Sequence, residues 1–105
     1  MDRSAVLKAL DSGDVLNLSR ALVSASLHDP DRAWIESLLK RFLVHDDPWI
    51  RGIAATCVAH VARLHRALDL AAIVPLLERL KSDPSTTGKA QDALDDIEVF
   101  IGKPG

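Results

Sequence analysis

The 105-residue chain has no tyrosine, a single cysteine, two tryptophans and two phenylalanines. Its core must therefore be built from aliphatic side chains. One thiol, Cys57, cannot make a disulfide framework. Glycine and proline number five each, too few for a collagen-like or disordered chain. No apolar run approaches the ~18 residues of a membrane span. The opening stretch MDRSAVLKAL lacks the long apolar segment of a secretory signal, so the expected location is cytoplasmic. Positive charge is not in excess, with 13 Lys and Arg against 15 Asp and Glu and a net charge of −2. A generic binder of the nucleic-acid backbone, which needs clustered cations, is excluded. There is no H-E-x-x-H, no Gly-rich phosphate loop, no G-x-S-x-G and no cysteine pair. His60 and His65 are five apart and diverge on a helix, whereas metal-binding pairs prefer three or four. No metal, cofactor or small-molecule substrate is expected.

What is present is alanine and leucine, which lose little freedom in a helix. Ser4 is placed to cap a first helix ending near Gly13, which can adopt the left-handed stop conformation. Asp14 opens a second helix, VLNLSRALVSASL. Asp29–Pro30 opens a third, Asp47–Pro48 a fourth reaching about Leu64, Asp69 a fifth and Asp83–Pro84 a sixth reaching about Ile101. Proline suits the first helical position, where its missing N–H would have no partner. The fold class is all-α, with six helices in one domain.

The chain also repeats. A shift of 36 carries Asp47–Pro48 onto Asp83–Pro84, Gly52 onto Gly88, Ala54 onto Ala90, Val58 onto Leu94 and Val61 onto Ile97. A shift of 38 carries Ile35, Leu38, Leu39 and Phe42 onto Ile73, Leu76, Leu77 and Leu80. A fainter copy precedes them, with Leu18 and Leu22 in the places of Ala54 and Val58. Three helical hairpins result, with units of about 4–28, 30–66 and 69–102.

Within the fourth helix, Ile50, Ile53, Ala54, Cys57, Val58, Val61 and Leu64 form a core stripe. Ala55, Ala59 and Ala62 form a second stripe, small enough for a neighbouring helix to approach closely. Trp49, Gly52, Thr56, His60 and Arg63 form a third, and the repeat shift carries Thr56 to Asp92 and His60 to Asp96, and back to Arg20 and Ser24. Trp34 lies beside Ile35 and Leu38 as half-buried packing. Trp49 points off the core stripe and is the better binding anchor. His28 and His45 sit near helix ends, where an imidazolium favours the dipole. From Arg32 to Arg66 there are six basic and three acidic side chains; from Asp69 to Glu98 there are three basic and seven acidic. Such a dipolar surface can steer a complementary partner.

The segments DPWIRGIAATCVAHVARL, LAAIVPLLERLKSDP and GKAQDALDDI resemble HEAT repeats of the armadillo/HEAT superfamily. Two departures stand out: a period shorter than the usual ~40–47 residues, and Thr87 where the preceding unit has Arg51. The resemblance implies a short right-handed α-solenoid of three hairpins whose second helices line the concave side. It also implies that Arg51 pairs with Asp47 or Asp83, making Asp47, Pro48, Arg51, Asp83 and Pro84 structural markers of the repeat. The concave strip would then run from Arg20 and Ser24, through Thr56, His60 and Arg63, to Asp92 and Asp96, with Asp95 and Glu98 bordering its acidic end.

A small protein with ALVSASLHDPDRAW, GIAATCVAHVARLHRALD and AQDALDDI is further similar to bacterial immunity proteins, including those of contact-dependent growth inhibition. That resemblance implies a non-enzymatic binder that blocks a cognate toxin domain, often a nuclease. The acidic last helix suits a basic toxin. The expected contact residues are Trp49, Thr56, His60, Arg63, Asp92, Asp95 and Asp96, with no nucleic-acid or membrane partner. The alternative is a general adaptor or assembly factor using the same surface. A HEAT-fold enzyme would instead require a deep pocket containing His60 or the Asp92/Asp96 pair.

Overall fold

Aspartates start five of the six helices in the computed structural model, which describes residues 2–102. The elements are α1 (Arg3–Asp11), α2 (Val15–His28), α3 (Arg32–Phe42), α4 (Pro48–His65), α5 (Leu70–Lys81) and α6 (Thr87–Phe100). Asp14, Asp47 and Asp69 each accept a backbone N–H of the first turn that follows, as the sequence predicts. Free amides at a helix start take such a carboxylate readily. Gly13, with φ of 72°, turns the chain between α1 and α2.

Three starts differ from expectation. The cap of α1 is Asp2, accepting from Ala5 N at 2.8 Å, and Ser4 lies inside the helix. The cap of α3 is Asp31, not Asp29. Asp29 ends α2 and is held by Arg3, whose guanidinium donates to Asp29 at 2.9 and 3.0 Å and to Asp31 at 3.1 Å. The same guanidinium lies 4.4 Å above the Trp34 ring, so one arginine ties α1, the α2–α3 turn and α3 together. Asp83–Pro84 opens a separate turn ahead of α6. The Asp83 carboxylate accepts from Ser85 N at 2.9 Å, and its carbonyl accepts from Thr86 N and Thr87 N at 3.0 and 2.9 Å.

Each odd-numbered helix packs on the even-numbered helix that follows it, and the even helices pack on one another in the order α2, α4, α6. The molecule measures 36 × 30 × 17 Å, and its smallest dimension is that of two helix layers, each about 10 Å across. One continuous aliphatic core fills the space between them.

Burial recurs with the repeat. At a shift of 36, buried Ala54, Cys57 and Val61 of α4 correspond to buried Ala90, Ala93 and Ile97 of α6, and to buried Leu18, Ala21 and Ala25 of α2. At a shift of 38, buried Ile35, Leu39 and Phe42 correspond to buried Ile73, Leu77 and Leu80. The stripe Ala55, Ala59 and Ala62 is buried throughout. Two members of the expected core stripe are not fully buried: Ile53 is half-buried against the core, and Leu64 is 57% exposed. A step of three residues from Val61 turns back by about 60° on a helix, so Leu64 falls beside His60, one turn away.

Arg51 pairs with Asp83 at 3.1 Å and also donates to the carbonyls of His45 and Asp46 at 2.8 and 3.0 Å. Asp47 instead caps α4 through Trp49 N at 2.9 Å. Thr87, the residue at the Arg51 position of the next unit, donates to the carbonyls of Lys81 and Asp83 at 2.9 and 2.7 Å. Lys81 is the repeat equivalent of His45, so both residues hold the same carbonyl of the preceding turn.

A contact invisible in the pattern joins α3 to the start of α5. Glu36 is only 4% exposed. It accepts from Arg32 Nη1 at 2.8 Å and from Asp69 N at 2.6 Å. Glu36→Ala is expected to cost about 1.5–3 kcal/mol in urea denaturation, because the Asp69 amide loses its acceptor. Glu36→Gln keeps an acceptor and should lose markedly less; equal losses would show that the hydrogen bond to Asp69 does not matter.

Candidate functional site

Most of the α4 residues expected at the site reach the surface. On α4, the residues off the core side are Trp49, Ile53, Thr56, His60, Arg63 and Leu64, all exposed or half-buried. α4 is flanked by α2 and α6, and along its middle this narrow sector is what reaches solvent. Gly52, expected in the same stripe, is buried. A Cβ there would meet Lys89 Cδ at 3.0 Å.

The geometry explains that glycine. Lys89 of α6 crosses over Gly52 and places Nζ 4.7 Å from the centre of the Trp49 ring. The indole is 57% exposed but held in place by the ammonium, an arrangement worth about 0.5–1 kcal/mol at an exposed site. Lys89 was not among the residues expected from the sequence. Nothing in the spacing of α6 marks it; only the approach of α6 to α4 puts it there.

Further along α4, Thr56 donates to Gly52 O at 3.2 Å, leaving its hydroxyl turned back on its own helix. His60 Nδ1 accepts from Arg63 Nη2. Burial pushes the His60 imidazole below its ordinary value of 6.5, the Arg63 charge adds to that, and Asp96 opposes both. Asp96 thus acts on His60 across the α4–α6 boundary, and the structure brings His60, Arg63 and Asp96 into one electrostatic group. Asp92 and Asp95 project from the exposed side of α6. Asp95 is engaged by Gln91 of its own helix at 2.8 Å.

The His60 shift has a defined consequence. The unfolded chain takes up the proton first as pH falls, so the stabilising contribution is whole above 6.5 and is lost as pH drops through the lower folded value. An NMR titration should place the His60 midpoint below 6.5. His60→Gln should flatten the fall in stability on the acid side, and an unchanged fall would assign it to other groups.

Cys57 lies on the core stripe as expected. Burial pushes its thiol up to about 11, with a Ser26 hydrogen bond opposing, so the nucleophilic thiolate is scarce at neutral pH. Among the described residues, no three His, Cys, Asp or Glu side chains converge as metal ligands, and no helix is long and apolar enough to cross a membrane. An open concavity of about 380 Å³ runs along α2, lined by Ser19, Arg20, Val23, Ser24, Leu27 and His28. It contains neither His60 nor the aspartates of α6. Of its lining, only Arg20 and Ser24 belong to the strip expected from the sequence.

No protein-family model and no curated protein matches this chain. A solved structure is similar: a chain of the crystal structure of the CDI complex from Cupriavidus taiwanensis LMG 19424 superposes with a TM-score of 0.85 at 29% sequence identity. The match covers 95% of this chain and 90% of that one, so the two share the whole helical arrangement rather than one hairpin.

Proposed function

We propose that this protein is a non-enzymatic immunity protein that binds and blocks a cognate toxin domain of contact-dependent growth inhibition. The observation that carries the reading is the near full-length likeness to a chain of a CDI complex. The chain's own chemistry supports the immunity side of such a pair. Its thiol is in the core, His60 is occupied by Arg63, and Asp95 is bonded within α6. What reaches solvent is a shallow face with an aromatic anchor, Trp49, fixed by Lys89, which is how binding hot spots are commonly built. The exposed carboxylates Asp92, Asp95 and Glu98 at one side of that face favour a basic toxin surface. Recurrent burial in α2, α4 and α6 supports reading them as the inner helices of stacked HEAT-like hairpins. On this reading the protein acts in the cytoplasm, where the toxin arrives.

The test is co-expression with the toxin domain encoded by the adjacent gene. The expected result is a stoichiometric complex that survives purification and growth restored to cells making the toxin. A toxin that neither binds this protein nor is neutralised by it would remove the reading.

A further inference from the structure

Two rows of side chains run along one side of α2, from buried Ser19 at one end to exposed Leu27 and His28 at the other. Ser19, Val23 and Leu27 form one row at four-residue spacing, and Arg20, Ser24 and His28 form the other. The open concavity of about 380 Å³ is lined by these two rows. A channel between two such rows is the feature that receives a ridge of a second helix when helices pack, commonly at about −50°. On its inner side α2 already meets its neighbours through buried Leu18, Ala21, Leu22 and Ala25. Among the described residues no helix fills the channel: Arg20, Leu27 and His28 remain exposed.

The chemistry of the channel selects its occupant. Its floor is apolar through Val23 and Leu27, and half-buried Ser24 is small enough for close approach. α2 contains no acidic residue, and among the described residues neither Arg20 nor His28 takes part in a salt bridge. Arg20 is the charged group of the channel, and His28 stands eight residues further on, about 12 Å along the helix. A single convex helix cannot enclose a small molecule, which needs most of its surface covered. A ridge of another helix needs no enclosure.

We infer that the outer channel of α2 docks an amphipathic helix of the toxin domain, seating an apolar side chain against Val23 and Leu27 and presenting a carboxylate to Arg20. This rests on the immunity function proposed above. It adds an orientation: the toxin turns an acidic helix to α2 and a basic surface to α6, so charge fixes which way round it lies.

The test measures binding of the toxin domain encoded by the adjacent gene by titration calorimetry, against the full chain and its Arg20→Glu, Leu27→Gln and Trp49→Ala variants. Arg20 and Leu27 are exposed, and circular dichroism confirms that each variant keeps its helices. The expected result is a loss of about tenfold or more for both α2 variants, with α2 amides protected from hydrogen exchange in the complex. Replacing the facing toxin carboxylate by lysine should restore binding to Arg20→Glu. If the unaltered protein binds while both α2 variants bind equally well and α2 exchange is unchanged, the docking site is overturned and the immunity function stands. If the unaltered protein binds no toxin, the immunity function fails and the docking site falls with it.

Discussion

Reversing the charge of Asp92 and Asp96 together is expected to weaken toxin binding by about 2–4 kcal/mol, roughly thirtyfold to a thousandfold, with helical content unchanged. Asp92 is exposed and takes part in no salt bridge among the described residues, so its carboxylate is available to a partner. Asp96 is half-buried, and its charge acts on His60 in opposition to that of Arg63. Two lysines in their place would repel a basic surface and add to the positive charge of Arg63 and Lys89. Much of the loss should lie in the association rate and shrink as salt is raised, since exposed charges are screened beyond about 10 Å at 0.1 M. A double variant that binds with the original affinity, and with the original salt dependence, would take both aspartates off the contact surface.

Leu22→Ala is expected to lower stability by about 2–5 kcal/mol, and the melting temperature by roughly 10–25 °C. Leu22 is completely buried in the single core, on the helix that packs against both α1 and α4. The side chain is lost from close packing, and the void cannot be filled without moving two helices. A domain of this size is typically held by only about 5–15 kcal/mol, so the loss is a large share of the whole. Leu64→Ala is the informative contrast. At 57% exposure it should cost no more than about 0.5 kcal/mol, although the spacing of α4 alone counts Leu64 with the core. Equal losses from Leu22→Ala and Leu64→Ala would mean that the burial described for α4 is wrong.

Much of the fold was legible because its signals are local. An aspartate carboxylate reaches an amide two or three residues away, and the alternation of apolar and polar positions over one turn selects the buried face. The repeat shift, read from identities alone, reappears as a repeat of burial in α2, α4 and α6. Where the reading went astray, a second use of the same residue type competed. Asp29 and Asp31 are equally good caps by residue type. In the fold Asp29 accepts from the Asp31 amide while Asp31 accepts from Trp34 N, with Arg3, some 26 residues away, bridging both carboxylates. Thr87 looked like a break in the pattern because it is not arginine, yet its hydroxyl reaches the same carbonyl position that Arg51 reaches.

The candidate face was legible in part. Trp49, Thr56, His60 and Arg63 do share one narrow sector of α4, since they obey helical spacing. Asp96, named with His60 from the repeat shift, acts on it in the fold, whereas Lys89 was not legible, for only the rotation and offset of α6 against α4 bring it over Gly52. The channel on α2 was also missed as a unit, since its second row begins one residue after the first and looks like ordinary surface until the inner side of α2 is known to be occupied.

By itself, then, the sequence determined six helices, an aliphatic core and a recurring unit, because capping and periodicity act over a few residues and need no knowledge of the neighbours. Tertiary structure alone decided that Glu36 holds the start of α5, that Lys89 clamps Trp49 and that α2 keeps an open channel. Each of these depends on the relative rotation of packed helices, which is set by how many side chains interlock at once rather than by any local run of residues.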